Sequence, residues 1–161
     1  LDFSLADDLV FGRHREPAFT KGVLLDRAAV QAFATRLLAE FDVRPPDPAA
    51  RAGQLSGGNQ QKLVVAREFT RDARLLIAAH PTRGVDLGAI EFIHREIVRQ
   101  RDQGRAVLLV SSELPELLAL ADRIVVLYEG RLVFETPATA TNERTLGEYM
   151  TGRNAAPAGR A

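Results

Sequence analysis

The feature that most limits the fold is a series of short apolar runs in the second half of the chain, at residues 75–79, 106–110 and 124–128. An unbroken apolar run of this length predicts a strand that is buried on both faces. Between the first two runs, residues 88–101 place Ile90, Ile93 and Ile97 at helical spacing. Strands that alternate with helices predict βαβ units and a parallel sheet, so the expected fold class is α/β.

The first half of the chain is expected to be helical, and a hairpin is expected after the third apolar run. Asp26 is a predicted helix cap, and Glu129-Gly130 is a turn signal. We expect residues 12–25 to be a loop, and helices over residues 4–11, 26–42, 62–70, 88–101, 114–120 and 142–150. The predicted domains are a helical subdomain over residues 1–73, an α/β part over residues 74–150 and a disordered tail over residues 151–161.

Composition excludes several classes of function. The chain has 161 residues, with 21 Lys and Arg against 21 Asp and Glu, and its formal net charge is zero. This balance argues against a nucleic-acid-binding surface, and the lack of cysteine excludes disulfides and thiolate metal sites. No apolar run is long enough to span a bilayer, and no signal peptide is recognisable. We therefore expect a cytoplasmic protein that reaches a membrane only through a partner.

Residues 55–62, Leu-Ser-Gly-Gly-Asn-Gln-Gln-Lys, have the properties of a phosphate-recognition segment. Ser56 can cap the helix that follows. Gly57 and Gly58 have no side chains, so the backbone can approach a ligand closely. A helix N-terminus offers free N–H groups and a positive dipole end, and both favour an anion such as phosphate.

This segment resembles the signature motif of ATP-binding cassette (ABC) proteins, in the form found in bacterial importers of simple sugars and nucleosides. Apart from the tail, the whole chain resembles the second part of an ABC nucleotide-binding domain, which is a P-loop NTPase fold. The resemblance implies that Ser56, Gly57, Gly58 and Asn59 close over the γ-phosphate of ATP held by a partner domain. It also implies that Asp86, in Arg83-Gly84-Val85-Asp86, belongs to the D-loop that reaches toward that domain.

Several hydrolytic elements of the family are missing from this sequence. No G-x-x-x-x-G-K-[ST] phosphate cradle (the Walker A motif) is present. Where the resemblance implies an Mg²⁺-side aspartate and a catalytic glutamate, the chain has Ala79 and His80. Ser112 stands where the family has its switch histidine. We therefore assign no catalytic residue and no metal ligand, and we expect the isolated chain to be inactive and to bind no cofactor.

The resemblance is to the second, C-terminal ATP-binding half of sugar and nucleoside importers, whose own site is often degenerate. It implies a transport ATPase that uses ATP and Mg²⁺ only as a full transporter. The implied partners are a first nucleotide-binding domain, a transmembrane permease and a solute-binding protein. The implied location is the cytoplasmic face of the membrane, bound through the permease. Residues 81–94 are more similar to nucleoside-type than to ribose-type importers.

Two other hypotheses about the function remain open. The chain could be a non-transport ABC-type scaffold without ATPase activity, or an autonomous hydrolase with His80 as its base. The opening residues resemble a segment from the middle of a domain, so we expect the chain to be a fragment. An incomplete parallel sheet would expose an edge, which predicts self-association of the fragment.

Overall fold

A computed structural model describes residues 3–154, which form both helices and strands. The helices are α1 Leu5–Leu9, α2 Arg27–Glu40, α3 Gly57–Phe69, α4 Leu87–Asp102, α5 Leu114–Leu120 and α6 Glu143–Met150. The strands are β1 Thr20–Lys21, β2 Leu24–Leu25, β3 Leu75–Ala79, β4 Ala106–Val110, β5 Arg123–Tyr128 and β6 Arg131–Pro137. None of the described helices is long and apolar enough to cross a membrane.

The described residues divide into two compact units. The first unit contains the chain up to Leu76 together with Pro81–Val107, and the second contains Ile77–His80 together with the chain from Leu108 onward. The boundary between them falls within strands β3 and β4. The division predicted from the sequence, into a helical subdomain over residues 1–73 and an α/β part over residues 74–150, stays a prediction.

In the first unit, α1 packs against α2 and α3, and α3 packs against α2 and α4. The predicted cap of α2 is confirmed, because the Asp26 carboxylate accepts hydrogen bonds from the N–H groups of Ala28 and Ala29. An edge-to-face contact between the rings of Phe41 and Phe92, with centroids 6.0 Å apart, joins the end of α2 to α4. The largest fully buried side chains of this unit are Phe41, Leu5, Leu9, Leu37, Leu38, Ile93 and Val43.

The predicted loop over residues 12–25 is wrong in part, because it contains a small hairpin. Strands β1 and β2 pair antiparallel, with Thr20 opposite Leu25. Gly22 lies in the turn with a left-handed φ of +66°. Strands of two residues are too short for an alternating pattern, so sequence periodicity could not reveal them.

Strands β3 and β4 are neighbours in a two-stranded sheet. The Ala106 N–H donates to the Arg74 carbonyl and the His80 N–H donates to the Val110 carbonyl, so the two strands run in the same direction, as predicted. The prediction that these strands are buried on both faces is wrong. Burial alternates along β3, with Leu76 buried and Ile77 62% exposed. The described elements therefore cover only one face of this strand pair.

The second unit is built on the predicted hairpin of β5 and β6, which pair antiparallel. Glu129 and Gly130 both have left-handed φ angles, of 47° and 75°, as a tight two-residue hairpin turn requires. The predicted helix α6 covers the hairpin, and the rings of Phe134 and Tyr149 stack with centroids 4.0 Å apart. The buried residues of this core are Ile124, Val126, Ala138 and Leu146.

The segment predicted to be a disordered tail begins in the described part of the chain. Thr151, Gly152 and Arg153 donate backbone hydrogen bonds to carbonyls of α6, so residues 151–154 form a turn. Residues 155–161 lie outside the described residues, and the prediction of disorder for them is not addressed by the structure.

Candidate functional site

The Gly-Gly segment lies inside a helix. The sequence predicts a helix from Lys62, but α3 begins at Gly57 with Ser56 at the N-cap position. Glycine has a low helix propensity, yet Gly57 and Gly58 form part of the first helical turn of α3. The Gln60 N–H donates to the Ser56 carbonyl at 2.9 Å. The N–H groups of Gly57, Gly58 and Asn59 therefore have no acceptor within the helix, and they point out of its positive end.

Ser56 does not cap the helix with its side chain, which corrects one expectation from the sequence. Its hydroxyl accepts no hydrogen bond from a helix N–H. The Ser56 Oγ instead accepts a hydrogen bond of 3.0 Å from the side-chain amide of Asn59. The Asn59 Oδ1 in turn accepts the backbone N–H of Arg44 at 2.8 Å. The exposed serine is thus fixed by a side chain one turn along α3.

The two signature glycines have different surroundings. A Cβ on Gly57 would meet only the Gly84 carbonyl oxygen, at an ordinary 3.7 Å. A Cβ on buried Gly58 would lie 2.7 Å from the Asp86 Oδ2, a separation that side chains do not adopt. A side chain at Gly58 would therefore have to displace the Asp86 carboxylate, which lies in the same unit. Gly57 is open on its outer side, where a ligand can approach.

The structure brings Asp86 to the start of α3, so two predicted site segments lie together in the first unit. The Asp86 Oδ1 accepts the Ala89 N–H at 2.9 Å and caps α4, while Oδ2 faces Gly58. The Gln61 Nε2 donates to the Pro81 carbonyl at 2.7 Å and holds residues 81–86 against α3. Sequence reasoning missed Gln61, because nothing in the sequence shows that its partner lies 20 residues away.

Lys62 is an anchor of the signature helix. Its Nζ lies 2.9 Å from the Asp42 Oδ2 and 3.1 Å from the Asp42 carbonyl oxygen, and it lies over the ring of Phe92. The hydrogen bond from Lys62, together with one from Arg44, lowers the pKa of Asp42 below its ordinary value. Because the Lys62 ammonium is occupied by these contacts, it is not available as a phosphate ligand.

The three positions where hydrolytic residues are expected fall in the second unit. Ala79 ends β3 and has no atom that could bind a metal. His80 follows with a left-handed φ of 48°, and its imidazole is exposed. Ser112 is exposed just beyond β4. Among residues 3–154 no group of three or more His, Asp or Glu side chains could hold a metal ion.

Curated relatives match along almost the whole chain. The guanosine import ATP-binding protein NupO of Bacillus subtilis is 43% identical over 161 residues, all of this chain and 32% of that protein. The glucose import ATP-binding protein TsgD13 of Haloferax volcanii is 46% identical over 153 residues, 94% of this chain and 28% of that protein. The ribose import ATP-binding protein RbsA of Yersinia pestis is 44% identical over 129 residues, 80% of this chain and 25% of that protein. The chain thus spans about a third or less of the length of these relatives.

Solved structures confirm the fold. An ATP-binding subunit of an ABC transporter superposes with a TM-score of 0.70 at 21% identity, over 93% of this chain and 63% of that one. An ATP-binding cassette of an ABC transporter in its ADP conformation superposes with a TM-score of 0.66 at 17% identity, over 96% of this chain and 61% of that one. No family model matches the chain. The sequence similarity along the whole chain and the fold together show that the chain belongs to the family of ABC transporter ATP-binding proteins.

Proposed function

We propose that this chain is part of the ATP-binding subunit of an ABC importer, and that it donates its signature to ATP bound by a partner nucleotide-binding domain. One observation carries the proposal: the N–H groups of Gly57, Gly58 and Asn59 and the exposed hydroxyl of Ser56 lie together at the positive end of α3. These are donors without acceptors, and a γ-phosphate supplies acceptors and negative charge.

The surroundings of Gly57 support this role. Its outer side is open, so phosphate oxygens can come close to the backbone N–H groups. Asp86 is held beside the same helix turn and would lie at the edge of the bound nucleotide, where the D-loop role implied by the resemblance would place it. ATP would therefore be held between the cradle of the partner domain and the signature of this chain.

The chain's own hydrolytic site is proposed to be silent. A P-loop ATPase needs a carboxylate to help hold Mg²⁺ and a residue that positions the attacking water. Ala79 cannot bind Mg²⁺, and Ser112 replaces the histidine that the resemblance implies. The hydrolytic site of this chain is therefore not suited to hold Mg²⁺. ATP and Mg²⁺ would be bound for hydrolysis by the partner domain. The isolated chain is then expected to hydrolyse no ATP.

The proposed partners are a first nucleotide-binding domain, a transmembrane permease and a solute-binding protein, and no nucleic acid. The permease would place the chain at the cytoplasmic face of the membrane. The transported solute would be a sugar or a nucleoside. The identities to the guanosine, glucose and ribose relatives, of 43%, 46% and 44%, do not separate these solutes.

The test is the ATPase activity of the complete ATP-binding protein assembled with its permease, compared between Gly57→Asp and His80→Ala. An aspartate at the first position of a helix favours the helix and meets no clash here. It would repel the γ-phosphate, so we expect Gly57→Asp to abolish most activity while His80→Ala changes it little. Gly147→Asp is the matched control, because Gly147 is a helical glycine with open space around it.

Unchanged activity in Gly57→Asp would contradict signature donation and favour the scaffold reading, in which the fold serves only protein contacts. Loss of activity in His80→Ala alone would instead assign chemistry to this half. The self-association predicted for an isolated fragment is checked separately by light scattering, where a monomer at high concentration would contradict it.

A further inference from the structure

We propose that Asn59 is a positioning residue, which turns the hydroxyl hydrogen of Ser56 toward the phosphate bound at the start of α3. The inference rests on the proposed function and deepens it, because it assigns the Asn59 side chain to orientation of the serine. The link runs from the backbone of Arg44, through the Asn59 amide, to the Ser56 hydroxyl.

The orientation of the Asn59 amide is fixed by its partner. The backbone N–H of Arg44 can only donate, so the atom that faces it at 2.8 Å must be the amide oxygen of Asn59. The amide nitrogen therefore faces the Ser56 Oγ at 3.0 Å. That nitrogen can only donate, so the serine oxygen must accept. The Arg44 peptide thereby determines which way the serine hydroxyl is polarised.

The serine hydrogen is left for another acceptor. A hydroxyl has one hydrogen, and in this arrangement the Ser56 hydrogen cannot point at the Asn59 nitrogen. The Ser56 Oγ is also not engaged by a helix N–H. A hydroxyl that already accepts a hydrogen bond is polarised as a donor. An anion at the end of α3 would then receive the Ser56 hydrogen together with the free backbone N–H groups.

The peptide that fixes Asn59 is itself held in place. The Arg44 guanidinium bonds Asp42 at 2.8 Å, and Lys62 on α3 bonds the same carboxylate at 2.9 Å. Both the donor to Asn59 and the helix that carries Asn59 are therefore attached to Asp42. The serine is prepared for its ligand before the ligand binds, which lowers the ordering cost of binding.

A double-mutant cycle tests the proposal, with kcat and KM for ATP measured on the complete ATP-binding protein assembled with its permease. Ser56→Ala removes the hydroxyl, and Asn59→Leu removes the amide at similar size. Each single variant is expected to lower kcat/KM about tenfold, the effect of one hydrogen bond to a charged group. The double variant is expected to be no worse than either single variant, because both act through one hydrogen bond.

A different result is expected if Asn59 only holds the loop at Arg44 and does not orient Ser56. The two losses would then multiply, to about a hundredfold in the double variant, and the proposal would be overturned. It would equally be overturned if Asn59→Leu kept full activity. If Ser56→Ala and Gly57→Asp both kept full activity, signature donation itself would fail. If Gly57→Asp loses activity while the losses in the double-mutant cycle multiply, signature donation stands and only the proposed role of Asn59 fails.

A second variant covers the case in which Asn59→Leu does not fold. Asn59→Asp keeps an oxygen for the Arg44 N–H but replaces the donor to Ser56 by an acceptor, which would draw the serine hydrogen inward. If Asn59 orients Ser56, Asn59→Asp should lower kcat/KM about tenfold or more when Ser56 is present. The same substitution should lower kcat/KM much less when residue 56 is already alanine. A loss that is unchanged in the Ser56→Ala background would reflect charge repulsion alone and would count against the proposal.

Discussion

Replacement of Gly58 by alanine would test the packing between the signature helix and the residues that follow β3. The new Cβ would lie 2.7 Å from the Asp86 Oδ2 and 3.4 Å from the Ala89 Cβ. The carboxylate is the group that can move, and it caps α4 through the Ala89 N–H at 2.9 Å. Gly58→Ala should therefore uncap α4 without changing any residue of that helix.

The magnitude follows from the cap and from helix propensity. Loss of an Asp N-cap costs about 1 kcal/mol, and overpacking adds about 1 kcal/mol more. In a helix interior, alanine is up to about 1 kcal/mol more stabilising than glycine. Gly57→Ala has the same gain, so helix propensity cancels when the two variants are compared. Gly57→Ala meets only an ordinary contact. We expect the free energy of unfolding of Gly58→Ala to be about 1–2 kcal/mol lower than that of Gly57→Ala.

The assay is urea unfolding of the complete protein, combined with amide hydrogen exchange at Ala89. The Ala89 amide should exchange faster in Gly58→Ala than in Gly57→Ala, by about tenfold for each 1.4 kcal/mol. In an Asp86→Ala background the obstructing carboxylate is gone, so the difference between the two alanine variants should disappear. Equal stabilities of Gly57→Ala and Gly58→Ala with Asp86 present would refute the reasoning.

Two further predictions concern other contacts. Lys62 holds the pKa of Asp42 below its ordinary value in the folded chain, so this pair stabilises the fold above about pH 4 and loses that effect as pH falls through the lowered pKa. The stability difference between the wild type and Asp42→Asn in urea should therefore shrink between pH 6 and pH 3. Gly152 has a φ of +75°, and a Cβ there would enter the ring of Tyr128. Gly152→Ala should destabilise the second unit by about 2 kcal/mol, seen as faster amide exchange in β5, and Tyr128→Leu should relieve only part of this loss.

The sequence by itself determined the helices and strands whose signals are local. The Asp26 cap, the Glu129-Gly130 turn and the apolar runs predicted α2, the β5–β6 hairpin and the strands β3 and β4 at their observed places. Capping and tight turns depend on neighbouring residues, so they can be recognised one segment at a time. The signature segment also marked the candidate site, because its composition alone suits an anion.

The tertiary structure decided what depends on partners distant in sequence. The close approach of Asp86 to Gly58 brings together residues that lie far apart along the chain. The start of α3 at Gly57, five residues before the predicted start, was likewise seen only in the structure. The same holds for the Asn59 amide, whose orientation is set by the Arg44 peptide. The one-sided burial of β3 and β4 was also invisible in the sequence, since an apolar run shows the chemistry of a strand but not which faces the rest of the fold covers.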